Sequence, residues 1–315
     1  MSLSSSPQPG DMIGRFKRVR HLGSGTFGTA WLVSSSKSGN PYVIKEMVIN
    51  EKGKTKNEVD ILKRCFHFNI IRYKEFFYGG IDGEDILYMV MEYADGGDLH
   101  HYLSKWRDEK KTYLPESQIL NWFIQIALAI NYLHREMILH RDLKAHNIFV
   151  TADNKILKLG DFGISRTLSH ENEFATTGIG TPQYLSPEMC QSQPYNYKSD
   201  IWSLGCVLYE MCSLESAFSG SELVPLVNKI IKGDYKPLPS HFSENVKDLV
   251  KVLLRPIPEK RPSASQILSS AIFIDEVKDY MTYVSTFPSF KKCISLSERK
   301  DSSGSISSGE LIQHH

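Results

Sequence analysis

Four polar side chains suited to phosphoryl transfer occur close together in this sequence. Asp142, Lys144 and Asn147 belong to the run His-Arg-Asp-Leu-Lys-Ala-His-Asn, and Asp161 begins the run Asp-Phe-Gly. Phosphoryl transfer requires a group that accepts the substrate hydroxyl proton, oxygen ligands for Mg²⁺ and a cation that neutralises the migrating charge. Two carboxylates, one amide and one ammonium provide those groups. Residues 140–163 are therefore predicted to form a phosphoryl-transfer site.

The composition is that of a globular protein without a strong electrostatic preference. Of the 315 residues, 41% are hydrophobic and 23% are charged, and the formal net charge is +1. This balance argues against nucleic acid or an anionic membrane as a partner. The most apolar stretch, residues 119–133, is interrupted by polar residues and is shorter than the ~20 residues that cross a bilayer. The first twenty residues show no secretory pattern.

The cysteines form no C-x-x-C pair, and their number is odd. This usage is typical of reduced thiols inside cells and argues against a disulfide framework. A cytoplasmic protein is therefore expected. The cysteines are Cys65, Cys190, Cys206, Cys212 and Cys293.

A glycine-rich run near the N-terminus is the second feature that could contact phosphate. Glycines let backbone N–H groups approach phosphate oxygens without an intervening Cβ. The same pattern also occurs in flexible hairpins and in dinucleotide-binding folds, but the latter require a helix directly after the last glycine. Residues 29–33 continue instead as a strand pattern, so the run joins two strands. Its residues are Gly23, Ser24, Gly25, Thr26, Phe27 and Gly28.

One lysine at the end of an apolar strand could bind the phosphates of a nucleotide. Val43 and Ile44 precede Lys45, although a solvated charge on an edge strand would explain this lysine equally well. A helix is predicted over residues 54–64, where the apolar positions that follow Glu58 have helical spacing. A pairing of Glu58 with Lys45 would favour the nucleotide-binding interpretation of this lysine over that of a solvated edge charge.

The elements that must position these residues change from strands to helices along the chain. Short strand patterns fill residues 15–49, and longer ones cover 69–78 and 86–93 with a turn at 79–83 between them. A strand pair at 148–150 and 157–159 is predicted to bracket the central motif. Amphipathic or buried helices are predicted over 117–133, 199–212, 221–233, 243–254 and 263–270.

Three segments lack periodic patterning. Residues 1–15 are expected to be disordered, and residues 274–315 are expected to form a short Ser-rich, largely disordered tail. A long polar, Thr-rich stretch follows Gly163. Since long loops inside compact domains are usually functional, this stretch is predicted to have a regulatory or binding role.

The motifs between residues 16 and 273 resemble those of eukaryotic protein kinases in type and order. The Gly180-Thr-Pro182 and Ser186-Pro-Glu188 runs, together with Lys144, are typical of the serine/threonine branch. Further runs are similar to those of the NIMA-related kinases. These runs are Val43–Glu46, Val90–Asp98, Leu159–Gly163 and Lys198–Cys206.

The resemblance implies an α+β, bilobal protein-kinase-like fold. Its small N-lobe, residues 16–93, would contain an antiparallel sheet plus one helix, and its larger C-lobe, residues 94–273, would be mostly helical. Such kinases transfer the γ-phosphate of ATP to Ser or Thr of protein substrates. A scaffold of the same fold without catalysis, a pseudokinase, is the alternative, and a small-molecule phosphotransferase is disfavoured by the peptide-binding Gly-Thr-Pro to Ser-Pro-Glu segment.

The resemblance also assigns roles to the residues of the central motif. Asp142 would accept the hydroxyl proton, Lys144 would neutralise the γ-phosphoryl group, and Asn147 and Asp161 would bind Mg²⁺, for which Mn²⁺ could substitute. Lys45 would hold the α- and β-phosphates with the help of Glu58, although the interval between these two residues is shorter than is usual in the family. Residues implied to bind ATP also include the glycine-rich run and Leu22, Ala30, Met91, Glu92, Ala94 and Phe149; a buried strand end would explain Met91 equally well.

Regulation is implied by the stretch between Asp-Phe-Gly and Ser-Pro-Glu. Thr177 matches the activating phosphosite of the family, Thr176 is a neighbour that could substitute, and Thr181 would line the substrate pocket. A phosphate on Thr177 would seek Arg141 and order the loop. Tyr73 matches a position that blocks the active site in some relatives, but a core tyrosine explains it at least as well.

Two further charged residues are expected to have structural roles. Asp200 is the N-cap of its helix or, by resemblance, a buried acceptor for backbone N–H groups of the catalytic loop, residues 140–147, or both. Arg261 is expected to pair with Glu188. His100 and His101 are adjacent on a helix, which is a poor geometry for two metal ligands.

The resemblance finally suggests the partners and location of the protein. Activation by an upstream kinase or by trans-autophosphorylation is expected, and the chain is expected to be a monomer. Location at the cytoskeleton, centrosome, basal body, cilium or flagellum is suggested by family association alone.

Overall fold

The computed structural model describes residues 7–25, 28–48, 62–63, 65–81, 84–160, 182–220 and 222–303. These residues form two compact units. The first unit comprises the described residues up to Phe66 together with Ile71–Ala94, and the second comprises His67–Ile70 and the described residues from Asp95 onward. The predicted helix over 54–64 falls outside the description except for residues 62 and 63.

The first unit contains a six-stranded antiparallel sheet in the strand order β1-β2-β3-β4-β6-β5. Aromatic and β-branched residues are frequent in these strands, as expected for a pleated and half-buried surface. The strands are β1 (Met12–Ile13), β2 (Phe16–Gly25), β3 (Gly28–Ser35), β4 (Pro41–Val48), β5 (Tyr73–Ile81) and β6 (Glu84–Glu92).

Alternation along the strands gives this sheet two different faces. One face carries a hydrophobic core that includes Phe16, Trp31, Ile44 and Val90, which are each at most 5% exposed. Because successive side chains of a strand point to opposite faces, Lys45 lies on the other face from Ile44. The packed face therefore fixes which way Lys45 points.

The first and last residues of β5 differ from the prediction. A strand was expected over 69–78 with a turn at 79–83, but β5 begins at Tyr73 and continues through both Gly79 and Gly80. A Cβ on Gly79 would lie 2.7 Å from Cε2 of Tyr88. The glycine is therefore used for close side-chain packing across the sheet and not for a turn, which the sequence alone does not distinguish.

The second unit is mainly helical, which confirms the predicted α+β class. Its two short strands, β7 (Ile148–Val150) and β8 (Leu157–Leu159), pair antiparallel as predicted. The helices are α1 (Leu99–Lys110), α2 (Glu116–Arg135), α3 (Pro187–Cys190), α4 (Tyr197–Ser213), α5 (Leu223–Lys232), α6 (Glu244–Leu253), α7 (Ala264–Leu268), α8 (Ile274–Ser285) and α9 (Pro288–Ser303).

Helix starts follow from side chains that cap the first turn. Asp98 accepts a hydrogen bond from the His101 N–H at the start of α1. Asn196 and Ser199 form a capping box that begins α4. Such caps satisfy N–H groups that have no partner inside the helix, and each is worth about 1 kcal/mol. The chain thus enters α1 and α4 at defined residues.

Disorder was predicted wrongly for parts of both ends of the chain. Ile13, in β1, is 4% exposed and belongs to the core of the first unit. Helices α8 and α9 occupy residues 274–303, where a tail was expected. Tyr280 and Val284, four positions apart and therefore on one helix face, are buried with Phe68. The high Ser content of residues 295–315 led to the prediction of a tail, although Tyr280 and Val284 have helical spacing.

The cysteines and the membrane prediction can be compared directly with the structure. All five cysteines are free thiols in the structure. Within the described ranges, no helix is both long enough and apolar enough to cross a bilayer.

Candidate active site

Three of the four central side chains lie together in the second unit. Asn147 donates from Nδ2 to Asp142 Oδ2 over 2.9 Å and to the Asp142 backbone oxygen over 2.7 Å. Lys144 Nζ lies 2.9 Å from Asp142 Oδ2. Asp142 is 15% and Lys144 21% exposed, so the cluster remains open to a ligand. The structure therefore brings the carboxylate, the ammonium and the amide into contact, and the fourth residue, Asp161, lies outside the described residues.

Backbone and imidazole contacts connect this cluster to the residues that follow β8. The Gly160 N–H donates to the Asn147 backbone oxygen over 2.8 Å. His140 Nε2 lies 3.1 Å from the Gly160 oxygen, and the Asp142 N–H donates to His140 Nδ1 over 3.2 Å. Because a carbonyl oxygen can only accept, these contacts require the tautomer of His140 that carries its proton on Nε2. His140, which is fully buried, is thus the link between the loop and β8.

Asp200 anchors the other side of the loop. Its carboxylate accepts from the N–H groups of His140 and Arg141 over 3.0 and 3.1 Å, and from His134 Nε2 over 2.8 Å. The φ of Arg141 is 66°, in the left-handed region that is unfavourable for most residues. Tyr195 donates to the same carboxylate. Asp200 therefore holds a strained turn directly before Asp142.

The two interpretations of Asp200 are thereby resolved. The N-cap of α4 is Asn196, so the N-cap interpretation of Asp200 is wrong, and the buried-acceptor interpretation is confirmed. Burial alone would raise the pKa of Asp200, but the hydrogen bond and charge of His134, with Tyr195 and His140, lower it below its usual value. The carboxylate is therefore ionised at neutral pH.

A second buried acid that sequence reasoning missed supports the middle of the loop. Glu210 of α4 is 4% exposed and accepts a hydrogen bond from Tyr184, whose hydroxyl accepts from the Ala145 N–H over 3.4 Å. Burial, followed by the charge of Glu210, raises the pKa of Tyr184 well above its usual value. A glutamate within a mostly apolar helix is the sequence signal that could have identified Glu210.

The same glutamate contacts a pair of stacked histidines. His100 Nδ1 lies 2.9 Å from Glu210 Oε1, and the rings of His100 and His146 stack with centroids 3.9 Å apart. The hydrogen bond to Glu210 raises the pKa of His100, whereas burial and the neighbouring His100 lower that of His146. His100 therefore pairs with an acid beside the catalytic loop, and the described residues contain no cluster of metal-ligating side chains.

The expected pairing of Arg261 with Glu188 is confirmed. Both carboxylate oxygens accept from the guanidinium over 2.8 Å, and the two side chains are at most 1% exposed. Ser199 donates to the same carboxylate over 2.6 Å. Burial raises the pKa of Glu188, but the hydrogen bonds from Arg261 and Ser199 outweigh it and lower the pKa overall. This pair fixes the segment that follows Ser186-Pro.

In the first unit, the sheet aligns several residues predicted to bind the nucleotide. Ala30 pairs with Gly23 on one side and with Lys45 on the other. Gly28 has a φ of +112°, and a Cβ there would lie 1.8 Å from the Glu46 oxygen. No residue other than glycine fits this position without rearrangement. Leu22, Ser24 and Gly25 belong to β2.

The later predicted nucleotide residues are divided between the two units. Met91, 7% exposed, and Glu92 end β6 in the first unit, and Ala94 follows them. Tyr73 is 8% exposed and lies opposite Met91 in the sheet, which agrees with a packing role. Phe149 lies on β7 in the second unit, opposite Lys158.

Several predicted site residues lie outside the described residues, and their roles remain predictions. They are Thr26, Phe27, Glu58, Asp161, Thr176, Thr177 and Thr181.

Comparison with known proteins identifies the family. The family model of the protein kinase domain matches residues 16–273. The solved structure of Rad53 residues 1–466 in complex with AMP-PNP has a TM-score of 0.70 and 29% identity, and the match covers 82% of this chain and 65% of that chain.

Curated relatives narrow the assignment. Serine/threonine-protein kinase Nek1 of Mus musculus is 42% identical over 273 residues, which cover 85% of this chain and 22% of the relative. Serine/threonine-protein kinase nekl-2 of Caenorhabditis elegans is 42% identical over 270 residues, which cover 82% of this chain and 74% of the relative. The chain thus spans about a fifth of the first relative and about three quarters of the second. This chain belongs to the protein kinase family, in its NIMA-related serine/threonine branch.

Proposed function

We propose that this chain is a protein serine/threonine kinase that transfers the γ-phosphate of ATP to hydroxyl groups of protein substrates. The contact of Asp142 with Lys144 and Asn147 is the observation that carries this proposal. Asp142 accepts the proton of the incoming hydroxyl. Lys144 neutralises the charge on the transferred group. Its contact with the Asp142 carboxylate places the ammonium and the proton acceptor beside each other.

A divalent cation, Mg²⁺ or in its place Mn²⁺, fits the oxygen donors near Asp142. Both hydrogen bonds described for the Asn147 side chain use Nδ2, which assigns its Oδ1 to the metal in this proposal. Asp161 is the proposed second ligand. Carboxylate and amide oxygens are the ligands that Mg²⁺ prefers. When bound, the cation neutralises the phosphate oxygens of ATP.

The residues that the family resemblance assigns to ATP are proposed to bind it. They are the glycine-rich run 23–28, Leu22, Ala30, Lys45 with Glu58, the segment 91–94 and Phe149. The sheet register supports this assignment, because Ala30 pairs with Gly23 on one side and with Lys45 on the other. Lys45 holds the α- and β-phosphates.

Regulation by phosphorylation is part of the same proposal. Thr177, or its neighbour Thr176, receives an activating phosphate that pairs with Arg141, and Thr181 lines the substrate pocket. The left-handed backbone of Arg141 and its anchorage by Asp200 support this, since the Arg141 backbone is held in place beside Asp142. The kinase domain comprises residues 16–273 with lobes divided near residue 93. The chain acts as a monomer in the cytoplasm or on cytoskeletal structures such as the centrosome or cilium.

The central test compares the purified chain with its Asp142→Asn variant. Both are incubated with ATP, Mg²⁺ and a generic basic protein, and phosphate transfer to Ser and Thr is measured. We expect Asp142→Asn to lose activity by about 10²- to 10⁴-fold, the usual contribution of a positioned proton acceptor. Nucleotide binding, measured as a thermal shift with ATP, should persist in the variant. Equal transfer by both proteins, or ATP binding by an inactive wild type, would favour the scaffold alternative.

A further inference from the structure

Helix α8 lies beyond the residues that the kinase family model matches, yet it contributes a buried side chain to the interior of the second unit. The match ends at residue 273, and α8 spans Ile274–Ser285. Tyr280 of this helix is 3% exposed. Burial raises its pKa above the usual value of a tyrosine, so its hydroxyl is neutral over the physiological range.

The hydroxyl of Tyr280 completes a buried network of amides. Asn69 Nδ2 donates to Tyr280 Oη over 2.6 Å, and Tyr280 Oη donates to Gln125 Oε1 over 3.3 Å. Asn69 also donates directly to Gln125 Oε1 over 3.0 Å. Asn69 is 2% exposed and Gln125 is fully buried. Each member therefore depends on the others for its hydrogen bonds.

This network holds one edge of strand β8, because residues 157 and 159 present their backbone polar groups to the same side of the strand. The Leu157 N–H donates to Gln125 Oε1 over 2.8 Å, and Asn69 Nδ2 donates to the Leu157 oxygen over 3.0 Å. The Leu159 N–H donates to the Asn69 backbone oxygen over 2.8 Å. Gln125 Nε2 also donates to the Lys155 oxygen over 2.8 Å. The side chains of Asn69 and Gln125 thus hold Leu157 and the Lys155 oxygen, and the Asn69 backbone holds Leu159.

Strand β8 leads directly to the cluster around Asp142. The residue after Leu159 is Gly160, whose N–H donates to the Asn147 oxygen over 2.8 Å and whose oxygen contacts His140 Nε2 over 3.1 Å. Asp161, the proposed metal ligand, is next in the sequence. A shift of β8 would therefore displace both Asn147 and His140.

Aromatic packing keeps α8 and the start of α9 against the same region. Phe68, next to Asn69, packs in one cluster with Tyr280 and Val284. Its ring centroid lies 5.8 Å from that of Phe287 and 5.6 Å from that of Phe290. Such rings contribute large apolar contact areas. The C-terminal helices are therefore attached to the polar network through the adjacent residue.

We propose that Tyr280 is a positioning residue, and that the segment 274–303 holds β8, and through Gly160 the catalytic loop, in its active arrangement. This inference rests on the proposed kinase function. Tyr280 does not touch substrate; it acts through Asn69 and Gln125. The segment outside the matched domain is thus part of the active site's support, and a partner that pulled α8 away would lower activity.

The test uses Tyr280→Phe, which removes one hydroxyl and keeps the ring, with Tyr283→Phe as the matched control. Tyr283 lies on the same helix and is 37% exposed. Hydrogen exchange of the amides at residues 157–160 and the kcat and KM of phosphate transfer are measured well below the unfolding temperature. We expect Tyr280→Phe to speed exchange at these amides and to lower kcat by about two- to tenfold, the factor corresponding to one neutral hydrogen bond. KM for the protein substrate should stay constant, and Tyr283→Phe should match the wild type.

The outcomes separate the possible failures. A lower unfolding midpoint with unchanged exchange at 157–160 and unchanged kcat would show that α8 only adds stability, and would overturn the proposal. Faster exchange in a chain whose wild type transfers no phosphate would support the positioning of β8 and refute the kinase function instead. Tyr283→Phe should leave exchange at residues 157–160 as slow as in the wild type. This variant therefore controls for changes in helix α8 that do not involve the Tyr280 hydroxyl.

Discussion

The catalytic loop is anchored by two regions of different chemistry. On one side Asp200, a single fully buried carboxylate of α4, accepts hydrogen bonds from two backbone N–H groups, His134 and Tyr195. On the other side neutral groups hold β8, namely the amides of Asn69 and Gln125 and the hydroxyl of Tyr280. The first anchor concentrates its contacts on one charge, whereas the second distributes them among three elements.

This difference has an energetic consequence. A buried charge loses its hydration, so removal of one partner leaves the remaining groups without compensation and is strongly destabilising. A neutral network has a smaller desolvation cost for each group, and loss of one member leaves no unpaired charge behind. We therefore expect the charged anchor to be sensitive at one residue and the neutral anchor to tolerate single changes better.

Asp200→Ala tests the charged anchor and should have the largest effect. The change leaves the His140 and Arg141 N–H groups without their acceptor, and we expect the free energy of unfolding to fall by about 3–5 kcal/mol. Urea unfolding measures this quantity. Asp248→Ala, at an exposed position of α6, is the control and should change stability by no more than about 0.5 kcal/mol. A loss of less than about 1 kcal/mol for Asp200→Ala would contradict the charged-anchor interpretation.

Gln125→Ala tests the neutral anchor. The substitution removes the acceptor of the Leu157 N–H and the donor to the Lys155 oxygen, and a loss of about 2–3 kcal/mol is expected because buried polar groups lose their partners. Asn121→Ala provides the graded control, since Asn121 is half-buried and accepts one bond from Gln125; its cost should be about 1 kcal/mol. If Gln125→Ala cost as much as Asp200→Ala, the network would not distribute its contacts as inferred.

The sequence revealed the charged anchor more readily than the neutral one. Asp142, Lys144 and Asn147 are close in sequence, so their spacing predicts a cluster, whereas the acceptor role of Asp200 is predicted by the family resemblance. Asn69 and Tyr280 are 211 positions apart. Their side chains are neutral and common, and nothing in local spacing indicates that they meet.

The errors in the strand and tail predictions have different causes. Gly79 and Gly80 have the composition of a turn, but the packing of Tyr88 against Gly79 keeps them in β5. This error arose where long-range packing, rather than local preference, decides the structure. Helix α8 carries Val277, Tyr280, Met281 and Val284 at helical spacing, so its helix could have been predicted from the sequence, whereas its burial against Phe68 could not.

The pair of His100 with Glu210, beside the catalytic loop, extends the comparison to a partly exposed charge. His100 is 42% exposed and Glu210 5% exposed in their side-chain pair. The Glu210 hydrogen bond raises the pKa of His100 above 6.5, burial opposes this, Asp98 raises the pKa further and Arg107 lowers it. Because the folded pKa is raised, the stabilisation is complete below pH 6.5 and is lost as the pH rises through the folded pKa. Asp200, with a lowered pKa, loses its contribution only in strong acid, as the pH falls below 3.8.

His100→Gln should therefore have the smallest effect and a distinctive pH dependence. The unfolding free-energy difference between wild type and His100→Gln should be larger at pH 6 than at pH 8.5, by a few tenths and at most about 1 kcal/mol, because solvent screens a pair that is partly exposed. His67, whose pKa burial and Lys158 lower to about 3, and His146 both act in the opposite direction in the wild type, so the difference between proteins is the informative quantity. His101→Gln, on the adjacent exposed residue, should show no such pH dependence. A difference that grew with rising pH would mean that His100 is held neutral, and that Glu210 is anchored by Tyr184 alone.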